Sequence, residues 1–281
     1  MTFLENVDKA KLQKILLITI SALMLVALAL LLVIVIMSID PANPGKNLDY
    51  KEYALTSKDA GSGNLVLADD KHPFSYGYAE DELEAWGAYR DANCEKNEAG
   101  KNINNYYMND KSKMHLTTAA MKAAHKMLVA AEAAVKKDDI LISYTYGYNE
   151  KDAAEYETAL MFALTNFESG KIDAAYTEWL TANAANYGFI AGTVEDSYRY
   201  VGVAHAKYMT ENKLSLANYL AYLKDNTTHD NGLTITVGEQ KYYVYYVTAT
   251  AGDVIKVPAE NAYTISGTNE GGVIVTVTLS K

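Results

Sequence analysis

Five histidines, one cysteine and two pairs of carboxylates are the residues of this 281-residue chain whose chemistry could be put to work. His72, His115, His125, His205 and His229 show neither H-x-x-x-H nor H-E-x-x-H spacing, so no helix-borne zinc pair is encoded. His115 and His125 lie too far apart on the chain to face one another locally. Glu168 with Asp173, and Glu195 with Asp196, have the types needed for acid/base work, but carboxylates in acidic loops are far more often solvated. There is no G-x-S-x-G and no P-loop. Ser169 precedes a glycine with no triad around it, and Cys94, in "DANCEKNEAG", lacks the basic neighbourhood that makes a reactive thiolate. That leaves His205, in "SYRYVGVAHAKYM" (197–209), where an aromatic strand carrying Arg199 runs into a helix.

The elements that would position these residues follow from periodicity. "TTAAMKAAHKMLVAAEAAVKK" places Met121, Ala124, Leu128, Ala131 and Val135 at spacings of three and four, with Thr117 or Thr118 as N-cap. "DDILISYTYGY" is rich in β-branched and aromatic residues and reads as a strand. A second helix is expected over Lys151 to Leu164. A third is expected from Asp173 to Tyr187, stopped by Gly188. A short strand at Phe189–Ile190, a strand at 197–203, a helix at 204–212 and a last helix capped by Ser215 complete this part. After Asp225 the texture changes to strands separated by Gly-containing turns, a small β unit at 226–281.

Tyrosine is abundant, with 23 residues. "NNYYMND", "SYTYGYN" and "KYYVYYV" could present rings to sugars or peptides, although Tyr is also a good filler of half-buried sheet faces. In "KYYVYYV" neither alternate set is free of Tyr, which predicts one exposed face.

The N-terminus carries a different signal. Residues 15–39 ("ILLITISALMLVALALLLVIVIMSI") hold no charge and only Thr19, Ser21 and Ser38 as polar residues. As a helix this run rises roughly 37 Å, enough to cross a ~30 Å hydrocarbon core. It is longer than the apolar region of a signal peptide and ends in "MSIDPANPG", a poor cleavage site. Lys9, Lys11 and Lys14 precede it, so residues 1–14 are expected in the cytoplasm and the main domain outside. Residues 40–63 mix Pro, Gly, Ser and charge and read as a stalk. Cys94 has no partner for an internal disulfide. The formal charge of −10 excludes nucleic acid as a partner, since phosphate binding needs a basic face.

The order of landmarks carries a resemblance. "NLVLADDKHP", "KMLVAAEAAVKKDDILISYTYGY", "WLTANAANYGFI" and "YRYVGVAHAKYMTENKLSLANYL" together resemble the VanY-type D-alanyl-D-alanine carboxypeptidases, the M15B peptidases, over residues 64 to 223. The resemblance implies an α+β, M15-like peptidase domain (64–225) with a small C-terminal β unit, behind one N-terminal transmembrane helix. It also implies a bacterial, peptidoglycan-directed role.

Members of that family are zinc hydrolases. They take two ligands from S-x-H-x-x-G-x-x-x-D, a third ligand and the base from E-x-W-H, and a cation from the Arg of S-G-Y-R-S. Here the arginine position falls on Asn149. Alignment on Gly170 puts Phe167 and Ala174 at the first two ligands, and counting back from "RYVG" puts Val194 at the base, Asp196 at the tryptophan and Ser197 at the third ligand. His205 belongs to the family's "VG-x-x-H-A" helix start, outside the ligand set, and is read as a packing residue.

The expectation is therefore a pseudo-carboxypeptidase with no metal and no cofactor. Tyr146, Tyr148, Tyr198 and Arg199 are its possible cleft residues; the membrane, peptidoglycan stem peptides and cell-wall proteins are its possible partners. Two alternatives stay open. One is an active hydrolase whose rearranged zinc site uses Asp173, Glu195 or Asp196 and a histidine. The other is a structural subunit of a membrane complex that docks through its Tyr-rich β tail.

Overall fold

The structure is a computed structural model describing residues 17–21, 23–24, 27–28, 43–101, 106–108, 113–137, 139–147, 154–166 and 170–280. The chain divides into two units, 1–47 and 48–281. In the first, the described residues between 17 and 28 are helical, and Leu17, Ile18, Leu23, Met24 and Leu28 are exposed. A 3-10 turn covers Pro44–Asn47. Most of the span expected at 15–39 lies outside the described residues; among the described residues, no helix is long and apolar enough to cross a membrane.

The second unit is built on two sheets. The first has five strands in the order β3 (Tyr107–Met108), β5 (Ile140–Thr145), β6 (Met161–Asn166), β8 (Ser197–Tyr200) and β7 (Phe189–Ala191). β3 and β5 run parallel; every other pair is antiparallel. One face is covered by helix α3 (Thr118–Val135), which begins at a Thr117 N-cap and ends at Lys136 in the left-handed conformation. Met121, Ala124 and Leu128 pack there on Ile142, Phe162, Phe189 and Tyr198. α4 (Ala174–Asn183) adds Tyr176 and Leu180 to the same core. Upstream, β2 (Leu83–Ala85) leads into α2 (Trp86–Asn93) and pairs with β4 (His115–Thr117).

The helix expected over 151–164 is not there. Ala154–Thr158 forms a 3-10 turn, and Met161–Asn166 is the central strand. The run "LMFAL" is buried on both faces of the sheet, so it carries neither helical nor strand period, and periodicity misassigns it.

The second sheet has the order β12 (Tyr263–Gly267), β13 (Val273–Thr278), β10 (Gln240–Val247), β9 (Leu233–Val237), all antiparallel. Val244, Ile274 and Ile235 on one face share a core with Met209 of α5 (Val203–Asn212) and Leu220 and Leu223 of α6 (Leu216–Asn226). The boundary expected at 225/226 thus runs through a continuous core. His205 fastens it: Nδ1 bonds the Tyr219 hydroxyl (2.9 Å) and Nε2 the Thr276 hydroxyl (3.0 Å).

The other face is covered by β1 (Tyr50–Ala54) paired with β11 (Val254–Pro258). Tyr243 and Tyr245 are therefore buried against Leu55, Ile255 and Val257. This corrects the exposed tyrosine face expected for "KYYVYYV". It also corrects the stalk, since from Leu48 onward that segment is woven into the fold. α1 (Ser57–Gly61), closed by a Thr56–Asp59 capping box, lies so near β12 that a Cβ on Gly267 would sit 2.1 Å from the Ala60 carbonyl oxygen.

Candidate functional site

The site is built where β6 and β8 pair. Along β6, Phe162 and Leu164 face α3, so Met161 and Ala163 face the other way, as strand alternation requires. Ala163 lies opposite Ser197 in the register. The 3-10 turn at 154–158 folds Tyr156 onto Met161 and Ala163, with Tyr144 and Val194 packed around them. The Tyr144 and Tyr156 rings lie 6.2 Å apart.

A tight β7–β8 hairpin closes one side. The Gly192 N–H donates to the Ser197 carbonyl (2.9 Å), and the Ser197 hydroxyl donates to the Val194 carbonyl (2.6 Å). A Cβ on Gly192 would lie 2.3 Å from Ser197 Oγ and 3.0 Å from Met161 Sδ, so only glycine lets the hairpin sit this close. Asp196 turns the corner at φ 57°, and its backbone carbonyl accepts the Leu164 N–H (2.9 Å). Burial pushes the pKa of its side-chain carboxyl upward.

The turn carrying Tyr156 is held by a buried ionic framework. Arg199 is fully buried; Nη1 donates to the Thr158 hydroxyl and Nη2 to the Val66 carbonyl (2.8 Å). Burial pulls its guanidinium pKa down, and the nearby Glu155 carboxylate opposes that. Glu155 accepts from the Thr193 N–H (3.2 Å) and hydroxyl (2.6 Å), tying the turn to the hairpin. The Tyr78 hydroxyl donates to the Thr158 carbonyl.

These residues do not suit a zinc ion. Structural and catalytic zinc takes thiolate, imidazole or carboxylate. The cluster offers two phenols, a thioether, two aliphatic side chains and a hydroxyl already given to a carbonyl. Among the described residues, no group of three His, Cys, Asp or Glu could hold a metal ion. Of the acids available to a rearranged site, Asp173 caps α4 at the Ala175 N–H (2.8 Å) and pairs with Lys137, while Glu195 pairs with Lys171 (2.9 Å) in solvent. The histidines are spread apart: His72 bonds Asp69 (2.8 Å), His125 the Tyr106 hydroxyl (2.8 Å), and His115 the Lys113 carbonyl (2.9 Å). Cys94 is buried, and burial raises its thiol pKa.

The expected site residues are thus divided. Val194 and Ser197 meet in the cluster. Ala174 is exposed at the start of α4, and Phe167, Tyr148 and Asn149 lie outside the described residues. Tyr146 is half-buried, its ring edge-on to Tyr78. Tyr198 packs on Phe162 and also lines, with Val194 and Ser197, a cavity of about 560 Å³, whereas Arg199 is enclosed and lines no cleft among the described residues. Sequence reasoning missed Tyr144, Tyr156, Met161 and Ala163. The available signal was a turn preceding β6, but Ala159 makes it at φ 52°, and alanine does not mark left-handed backbone as glycine does.

No family's sequence profile matches the chain. It is 27% identical over 262 residues to a D-alanyl-D-alanine carboxypeptidase of Enterococcus faecium, spanning 84% of this chain and 82% of that protein. The crystal structure of the vancomycin resistance D,D-dipeptidase VanXYg, in complex with a D-Ala-D-Ala phosphinate analogue, superposes with a TM-score of 0.63. That match covers 82% of this chain and 100% of the VanXYg chain, at 19% identity. The fold is that of VanXYg. A peptidase fold of the VanX/VanY kind accordingly carries the Tyr156–Ala163–Val194–Ser197 cluster on one face of its central sheet.

Proposed function

We propose that this protein is a membrane-anchored, extracellular pseudo-carboxypeptidase that binds cell-wall stem peptides or scaffolds cell-wall proteins without hydrolysing them. The observation that carries the reading is the apolar cluster at the β6–β8 pair. If the glycine of S-x-H-x-x-G-x-x-x-D is set at Ala159, Tyr156 takes the histidine position and Ala163 the aspartate position. E-x-W-H then falls on Val194 to Ser197. Four positions that are separate in the sequence coincide with side chains gathered in one place. This register replaces the one that used Phe167 and Ala174. Stem peptides are chosen as ligand because the Enterococcus faecium relative is a D-alanyl-D-alanine carboxypeptidase.

The test is zinc content of the full chain, purified in detergent without chelator, beside release of D-Ala from a D-Ala-D-Ala-terminated pentapeptide. The expected results are no zinc and no release, with measurable pentapeptide binding by calorimetry. The Y156H/A163D/S197H variant should take up about one zinc per chain, since it restores two imidazoles and a carboxylate. Zinc near one per chain in the unaltered protein, with release of D-Ala, overturns the reading.

Anchoring rests on the uncharged run at 15–39 and on the exposed apolar residues of its helical turns. The chain is expected to stay with the membrane fraction through an alkaline carbonate wash. Release by that wash would refute the anchor.

A further inference from the structure

The motif matches most specific in the sequence, "NYGFI" and "RYVG", are not used by the β6–β8 cluster. They meet on the opposite side of the sheet. Alternation along β8 sends Ser197 and Arg199 one way and Tyr198 and Tyr200 toward α3. There, Tyr200 and Tyr187 line a groove of about 500 Å³ with Asn186 and with Lys122 and Lys126 of α3.

The groove is built by close approach. Gly188 has φ 87°, and a Cβ on it would lie 2.8 Å from the Tyr200 ring. The Gly188 carbonyl accepts the N–H groups of Val201 (2.9 Å) and Gly202 (3.2 Å), fixing the two tyrosine segments side by side. Trp179 backs the Tyr187 ring at 6.1 Å and Phe189 backs Tyr200 at 5.3 Å. The rings are held from behind.

The polar side chains of this groove are uncommitted. Elsewhere Lys58, Lys137, Lys171 and Lys207 each pair with a carboxylate. Among the described residues, Lys122 and Lys126 have no such partner, and the side chains of Asn186, Tyr187 and Tyr200 make no hydrogen bond. Among the described residues no acidic side chain lines the groove, in a chain of formal charge −10. Lys122 and Lys126 stand one helical turn apart, so their ammonium groups project over the same stretch.

We propose that this groove binds an acidic saccharide chain. Flat sugar faces stack on the backed tyrosine rings, Asn186 and the tyrosine hydroxyls meet sugar hydroxyls, and the two lysines pair with successive carboxylates. The saccharide is preferred to an acidic peptide because the groove offers two ring faces and an amide beside its charges. The inference does not depend on the fate of the metal centre, since the Tyr187 and Tyr200 side chains pack with the core beneath α3 and Tyr156, Met161 and Ala163 with the cluster on the other face.

The experiment is binding of an oligogalacturonate to the full chain in detergent at low and physiological salt, compared with a neutral chito-oligosaccharide and an oligoglutamate of equal charge. The oligogalacturonate should bind best and weaken as salt rises. K122E/K126E should reduce that affinity about tenfold or more with an unchanged melting curve, because both lysines are exposed. Tyr187→Ala should weaken the saccharide and leave whatever oligoglutamate binding exists. Equal binding of the neutral sugar, equal binding of oligoglutamate, or K122E/K126E binding as the unaltered chain does would each overturn the proposal.

Discussion

His205 shows how a residue with catalytic chemistry can be committed to structure. Both ring nitrogens are engaged, by Tyr219 and Thr276, and burial lowers its pKa from 6.5 to about 4. The unfolded chain therefore holds more protons between those two values. Stability from this site is complete above about pH 6.5 and drains away as pH falls toward 4, by roughly 3 kcal/mol in all. His125, bonded to Tyr106 and lowered by burial, adds a contribution of the same sign. In urea titrations, His205→Gln should be less stable than the unaltered chain at neutral pH by about 1–2 kcal/mol. It should also lose less between neutral pH and about pH 4.5. Equal acid losses in the two proteins would show that His205 is not what titrates. The residue's type was legible in the sequence; its two partners were not, because one of them lies 71 positions away.

At the scale of elements, legibility followed burial. α3 and α4 were readable because each has one wet face, which leaves apolar residues at spacings of three and four. β6 has no wet face and was read as helix. β1, "YKEYA", is short and mostly polar, and was taken into a stalk. Its value comes from what it covers, which no local pattern records. The same limit affected the candidate cluster: counting from "RYVG" reaches Val194 and Ser197, which lie beside it, while Tyr156 and Ala163 stayed hidden behind a turn made by alanine. A direct consequence can be measured. A chain beginning at Leu48 should melt cooperatively, whereas one beginning at Asn64 should not. The shorter chain lacks β1, Leu55 and α1, which uncovers Tyr243, Tyr245, Ile255 and Val257, and each large buried side chain is worth about 1.5–3 kcal/mol. A sharp, equally stable transition in the shorter chain would show that β1 is dispensable.

At the scale of the whole molecule, the parts expected to be separate are interlocked. The helices of the peptidase fold and the C-terminal sheet share one core, and the segment just after the apolar N-terminus pairs with β11 to cover the other face of that sheet. Tyr50 aligns with Pro258 and Ala54 with Val254, and the Gly267 N–H reaches back to the Ser62 carbonyl at 2.8 Å. Synthesis makes β1 about 200 residues before its partner, since Ala54 pairs with Val254. During elongation the first strand has nothing to pair with, and it must wait with an open edge until β11 has been delivered. Pairings this distant along the chain form late and slowly. A ribosome that stalls anywhere before β11 therefore leaves a product with β1 unpaired and an uncovered core, a target for proteases and chaperones rather than a shorter working protein.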